Sequence, residues 1–242
     1  MKNLKFNIAV LVLVGVAAFG MRAAQEVSLD MNFLAVGGDL SQAQRTEILN
    51  TLVVNRLKIK ELGDIKRILE AREWIDKVDV ARHWPDRIEI KVSEEQAIAY
   101  WNDDAFVNDK GKVFTSPYLV PGDLAHLYGP DSSEREVMQQ YHDLTKALTQ
   151  SAQSIEVLVF DERGAWEFTT GQGVKVLIGK DNIMERIQRF LLVVERGGLY
   201  QRLDDIEQID TRYSNGIAVD WKDSQTGLSL ANTNNSQREL RL

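Results

Sequence analysis

The chain has 242 residues, room for one or two domains, and its 44% hydrophobic content is ordinary for a protein with a packed core. Its formal charge of −7 is unevenly spread: residues 1–22 hold Lys2, Lys5 and Arg22 and no acid, so the other 220 residues carry 26 basic and 36 acidic side chains. Such an acidic body argues against nucleic acid as a partner and against lying flat on anionic lipid, and the lack of cysteine excludes disulfides and thiolate chemistry.

Residues 1–5 are a short basic stub. Phe6 to Met21 is a sixteen-residue run in which only Asn7 is polar. As a helix it spans about 24 Å at ~1.5 Å per residue. With Ala23 and Ala24 it reaches about 28 Å, close to a ~30 Å hydrocarbon core, while Arg22 snorkels to the interface. Residues 6–24 are therefore predicted to be a transmembrane anchor. Lys2 and Lys5 precede the run, and Glu26 and Asp30 follow it. That bias places the N-terminus in the cytoplasm and the bulk of the chain outside, as a single-pass type II protein. The competing reading is a cleaved signal peptide, with Ala18-Phe19-Gly20 at the spacing signal peptidase takes. Both readings export the body.

A first domain is predicted over residues 27–93. Met31 to Val36 reads as a strand closed by Gly37-Gly38, and Ser41 with Gln44 forms a capping-box pattern. The helix it opens has the apolar stripe Ile48, Leu49, Leu52 and Val53; a second carries Leu62, Ile65, Ile68 and Leu69. Val78-Asp79-Val80 and Ile88 to Val92 alternate as strands about a turn at Trp84-Pro85-Asp86. The order is β-α-α-β-β, a three-stranded sheet with two helices on one face.

The second domain, residues 94–221, mixes strands with two helices. Strands are predicted at Ala97–Trp101, Phe106–Val107 and Lys112–Phe114. Ser133 and Glu136 open a helix whose inner face is Val137, Tyr141, Leu144 and Leu148. Strands follow at Ile155–Phe160, Trp166–Thr170 and Val174–Ile178, with Gly171-Gln172-Gly173 as a hairpin turn. Asp181 is predicted to cap a helix bearing Ile183, Ile187, Phe190, Leu191 and Val194, ended by Gly197-Gly198. The last hairpin, Ile206–Tyr213 and Ile217–Trp221, turns at Ser214-Asn215-Gly216. Residues 222–242 are polar and read as a disordered tail. The fold class is α+β: a single N-terminal transmembrane helix, the β-α-α-β-β domain, and a mixed domain with a mostly antiparallel sheet.

No residue set assembles catalytic chemistry. His83, His126 and His142 lie in separate elements without metal-ligand spacing. Gly171-Gln172-Gly173 lacks the third glycine and following helix of a dinucleotide site, and no GxSxG, SxxK or HExxH occurs. The acid pairs Asp103-Asp104 and Asp204-Asp205 sit beside turns, where solvated caps are the expected role. Most of Trp74, Trp84, Trp101 and Trp166 are expected to pack in the core or at its rim. The terminal hairpin differs: its outer strand has no later strand in the sequence to cover it, and Tyr213 and Trp221 flank its turn beside Arg212. Unpaired strand edges accept partner strands, and Tyr, Trp and Arg are favoured interface anchors, although a covered edge satisfies the same pattern.

The stretch Trp74-Ile75-Asp76-Lys77-Val78-Asp79-Val80-Ala81-Arg82-His83-Trp84-Pro85-Asp86, continuing through Ile88-Glu89-Ile90 to Ala97-Ile98-Ala99-Tyr100-Trp101-Asn102-Asp103, resembles the bacterial FtsQ/DivIB family. Leu127-Tyr128-Gly129-Pro130 and the run Ile209 to Val219 add to the resemblance, which covers nearly the whole chain. Asn215 stands where Ser is usual, and Glu94-Glu95-Gln96 replaces an acid-x-x-Pro start to the second domain. The resemblance implies a POTRA first domain and a periplasmic body at the division septum. It implies a non-catalytic scaffold without cofactor or metal, whose partners are FtsB and FtsL and other divisome proteins such as FtsK, FtsW and FtsI. The partner-binding residues it implies are Arg212, Tyr213, Ser214, Asn215 and Gly216, with Trp221 nearby. Two other readings compete. A POTRA-bearing outer-membrane assembly or secretion component predicts a barrel of roughly ten-residue alternating strands after the second domain. A cell-wall hydrolase predicts convergent catalytic groups in a cleft.

Overall fold

The computed structural model describes residues 34–84, 87–120, 122–151, 153–214 and 216–222. The predicted stub (1–5), anchor (6–24), tail beyond Lys222, and Asn215 lie outside the described residues, as does the beginning of the strand read from Met31. Among the described residues no helix is long and apolar enough to cross a membrane. The chain divides into two compact units, residues 1–140 and 141–242.

In the first unit, β1 (Leu34–Gly37), α1 (Gln42–Val54), α2 (Leu62–Glu70), β2 (Ile75–His83) and β3 (Arg87–Glu94) follow the predicted order. The sheet runs β1-β3-β2, with β1 parallel and β2 antiparallel to β3. A parallel neighbour needs a long crossover, and between β1 and β3 it contains both helices and β2. The Ser41–Gln44 capping box forms: Gln44 N–H donates to Ser41 Oγ at 3.3 Å, and Ser41 N–H to Gln44 Oε1 at 2.7 Å. The buried stripe of α1 is Gln44, Ile48, Thr51 and Leu52. Val53, predicted to face inward, is exposed, because it lies about 100° around the helix from Leu52. Ile88, Ile90 and Val92 alternate inward along β3 and share one core with Ile48, Leu52, Ile65 and Leu69. Gly38, at φ +123°, leaves β1 where an added Cβ would stand 2.5 Å from the Val92 carbonyl oxygen, so only glycine fits.

The same unit holds β4 (Ala99–Trp101), β5 (Ala105–Val107), β6 (Val113–Phe114) and β7 (Ala125–Tyr128), in the order β7-β4-β5-β6. Asn102 turns β4 into β5 with φ 47°, and its amide side chain bonds Gly129 both ways, at 3.2 and 3.3 Å. The motif around Trp101 is thereby tied to the Tyr128-Gly129 motif. Glu47 on α1 accepts from Tyr118 Oη at 2.5 Å and from Trp74 Nε1 at 3.1 Å. Helix α3 (Glu134–Leu148) crosses from the first unit into the second.

The second unit contains β8 (Ile155–Phe160), β9 (Trp166–Thr170), β10 (Lys175–Gly179), α4 (Ile183–Arg196), β11 (Ile206–Asp210) and β12 (Ala218–Trp221), with strand order β12-β11-β10-β9-β8. Among the described residues, β8 with β9, β9 with β10 and β11 with β12 pair antiparallel, and β10 with β11 parallel, where α4 supplies the crossover. Helix α4 buries Ile187, Phe190 and Val194, and Phe190 meets Phe168 of β9 edge-on at 5.9 Å. Its N-cap is Asn182, in the left-handed region at φ 55°, rather than the predicted Asp181. Asn tolerates that conformation better than most residues, so the chain turns one position later than the capping pattern suggests. The fold class is α+β, as predicted, and the second domain's sheet is mostly antiparallel.

Candidate protein-binding edge

Strand β12 ends its sheet, so one of its backbone edges has no neighbouring strand among the described residues. Its inner edge pairs with β11: Ala218 opposite Asp210, Val219 opposite Ile209, Asp220 opposite Gln208 and Trp221 opposite Ile206. No residue of β12 is buried, whereas Ile206 and Ile209 on β11 are fully so. Beyond the strand, Lys222 N–H donates to the Asp205 carbonyl at 2.8 Å and Lys222 Nζ to the Asp204 carbonyl at 2.9 Å. These bonds hold the far end of β12 in place.

The predicted tight turn is a longer connection, Thr211 to Ile217. The β11–β12 ladder stops at the pair Asp210 and Ala218, while on its other side the chain stays fastened to β10: the N–H and the hydroxyl of Thr211 both donate to the Leu177 carbonyl, at 3.0 and 2.8 Å. Arg212 then folds back on Asp210 through Nε at 2.9 Å and Nη2 at 2.7 Å. This bond holds the Asp210 carboxyl below the usual carboxylate range and raises the Arg212 guanidinium further. The stem of Arg212 runs over Gly179, where an added Cβ would stand 3.2 Å from Arg212 Cγ and 2.7 Å from Arg186 Nη1. Arg189 of α4 donates to the Tyr213 carbonyl at 2.6 Å and pairs with Glu185 at 2.9 Å. Backbone and cation are fixed while Tyr213 stays 57% exposed.

Trp221 lies at the far end of the strand from that connection, three residues and about 10 Å beyond Ala218 at ~3.4 Å per residue. Tyr213 and Trp221 therefore bracket the free edge lengthwise instead of flanking one turn. The Arg202 guanidinium covers one face of the Trp221 indole at 4.1 Å, and the residue remains 40% exposed. The edge thus offers a row of backbone groups between two aromatic posts, each steadied by an arginine.

A family model described as "Cell division protein FtsQ/DivIB, C-terminal" matches residues 99–212, and one described as "POTRA domain, FtsQ-type" matches residues 56–95. The chain is 34% identical over 209 residues to the cell division protein FtsQ of Shewanella oneidensis, a match covering 85% of this chain and 79% of that one. The chain belongs to the FtsQ/DivIB family. It is also 34% identical over 184 residues to FtsQ of Cellvibrio japonicus, and 28% identical over 184 residues to FtsQ of Hahella chejuensis. These two matches cover 75% and 76% of this chain, and 57% and 66% of those proteins, so the chain spans less than two thirds of either relative.

Of the residues that the FtsQ resemblance implies, Arg212, Tyr213, Ser214 and Gly216 fall in the connection, Trp221 falls on β12, and Asn215 lies outside the described residues. Sequence reasoning missed Thr211, Asp210, Gly179 and Arg189, which set the loop. Asp210 and Thr211 lie in the Ile209–Val219 run that carries the resemblance, but nothing in that run marks their roles; Arg186 and Arg189 on α4, which reach the Ile178 and Tyr213 carbonyls, read as surface by periodicity alone. Asp103 and Asp104 lie exposed in the β4–β5 turn; among the described residues no three His, Asp or Glu side chains cluster as a metal site.

Proposed function

We propose that this chain is a non-catalytic scaffold of the bacterial divisome that receives a partner strand along β12. In this reading residues 6–24 anchor it in the inner membrane, a POTRA domain over 27–93 and a second domain over 94–221 stand in the periplasm, and 222–242 is a polar tail. The partners are FtsB and FtsL, and beyond them other division proteins such as FtsK, FtsW and FtsI. Arg212, Tyr213, Ser214, Asn215, Gly216 and Trp221 form the docking surface.

The observation that carries this is the unpaired edge of β12 between exposed Tyr213 and exposed Trp221. A free edge supplies backbone hydrogen bonds without sequence preference, and aromatic posts at its two ends supply selectivity. The family membership agrees with a role in division.

The test is binding of the detergent-purified full chain to a synthetic segment of the FtsB periplasmic region, beside Tyr213→Ala and Trp221→Ala. Each substitution is expected to weaken binding by about tenfold or more, with circular dichroism unchanged. Full affinity in both variants would move the interface elsewhere on the chain. No binding by the unsubstituted chain would overturn the proposed function.

A further inference from the structure

Most of the four tryptophans pack inward, as expected: Trp74, Trp101 and Trp166 are 4–6% exposed. Trp84 is 93% exposed. It stands at the tip of the β2–β3 hairpin, just beyond the closing pair His83 and Arg87. No core claims it. A solvated indole at a loop tip leaves a large amphipathic ring open to burial by something else, and tryptophan is enriched at protein and membrane interfaces, where one end is apolar and the other wet.

The surroundings of Trp84 narrow the choice. Arg82 and Arg87 flank it in sequence, with Asp86 the single acid between residues 82 and 87. The nearby Glu89 carboxylate is already engaged, accepting from His83 Nε2 at 2.9 Å and pairing with Lys91 at 3.6 Å. His83 and Lys91 hold it below the usual carboxylate range. The tip is thus locally basic on a body that carries ten more acids than bases. An exposed indole between arginines matches the headgroup layer of a bilayer, where tryptophan concentrates and anionic lipid draws cations.

Topology places the tip on the correct side. Because β1 is parallel to β3, its first residue, Leu34, pairs with Ile88, next to the start of β3. The chain therefore comes into this sheet at the same end from which the β2–β3 hairpin projects, one or two strand spacings of ~4.8 Å away. Only residues 25–33 separate Leu34 from the predicted anchor, a reach of at most about 30 Å at ~3.3 Å per residue. A tether that short keeps this end of the domain at high effective concentration near the bilayer surface.

We propose that the β2–β3 hairpin tip, through Trp84 with Arg82 and Arg87, docks into the headgroup region of the anionic bilayer that anchors the chain and so orients the first domain. This rests on the anchor reading above.

The test reconstitutes the full chain into phosphatidylethanolamine–phosphatidylglycerol vesicles, with and without lipids brominated near the glycerol end of their acyl chains. Vesicle flotation reports anchoring, and bromine quenching of tryptophan emission reports indole depth. The expected result is flotation with quenching of about one indole in the chain's five. Trp84→Phe removes that quenching, Trp221→Phe leaves it, and Arg82→Gln with Arg87→Gln or omission of phosphatidylglycerol reduces it. Flotation with the same quenching in Trp84→Phe as in the parent, or flotation without quenching, overturns the proposal and leaves the anchor standing. Failure to float overturns the anchor reading and this proposal with it.

Discussion

Glu47 gathers two donors that come from far along the chain, Trp74 Nε1 and Tyr118 Oη, and the two rings meet edge-on with centroids 5.2 Å apart. The hydrogen bond from the Tyr118 hydroxyl to the Glu47 carboxylate is the main reason its phenol is pushed up to about 12, burial and the Glu47 charge adding to it. A raised phenol holds its proton where the unfolded chain, at 10.0, has lost it. The contribution is therefore fully present below pH 10 and is lost as pH rises through 10 toward 12. Tyrosinate absorbance should show one late-titrating tyrosine that Glu47→Gln returns to the ordinary range. Asp210 runs in the opposite sense: its carboxyl is depressed by Arg212, so its contribution is present above the ordinary value of 3.8 and is lost as pH falls below it. Identical alkaline titrations of parent and Glu47→Gln would show that this bond is not made in solution.

Elements were legible wherever local chemistry decides them. Ser41 and Gln44 announce the start of α1, and the alternation of Ile88, Ile90 and Val92 announces β3 with its buried face. The features that sequence did not yield are set by residues distant in the chain. Asn-Gly after Tyr213-Ser214 signals a tight hairpin, yet past Asp210 the chain stays fastened to β10, where Thr211 donates to the Leu177 carbonyl 34 residues earlier. Trp84 looked like a packing residue because indoles usually are, and no periodicity marks a hairpin tip as unclaimed. Gly179 carries the consequence of such distant control. It sits at φ +84° under the Arg212 stem, so Gly179→Ala meets both a left-handed backbone and two arginines. The variant is expected to lose about 1–3 kcal/mol in denaturant unfolding and to weaken partner binding through a displaced Arg212. Unchanged affinity in a folded Gly179→Ala would show that the Arg212 position does not matter to the partner.

At the scale of the whole molecule, a strand with one open edge is a liability unless that edge has a use, and β12 is short and carries Asp220, with Lys222 following, features that discourage pairing with the wrong chain. If the strand is a docking edge, its outward backbone groups must carry binding while its inward groups carry folding. The two sets can be assigned. Lys222 N–H points inward, to the Asp205 carbonyl. Backbone N–H directions alternate along a strand, and the extra residue of the bulge lies on β11, between Ile206 and Gln208, so the alternation along β12 is unbroken. Asp220 N–H therefore faces β11, and the N–H groups of Val219 and Trp221 face the open edge. Proline removes one N–H and is tolerated where that group points away from the sheet. Val219→Pro is expected to leave the Tm within a few degrees of the parent and to cost about tenfold or more in affinity for the FtsB segment. Asp220→Pro is expected to lower the Tm clearly, because it removes a bond that the sheet itself uses. If Val219→Pro instead bound as the parent does, side chains alone would carry recognition, and β12 would be a platform for its partner instead of a template for a further strand.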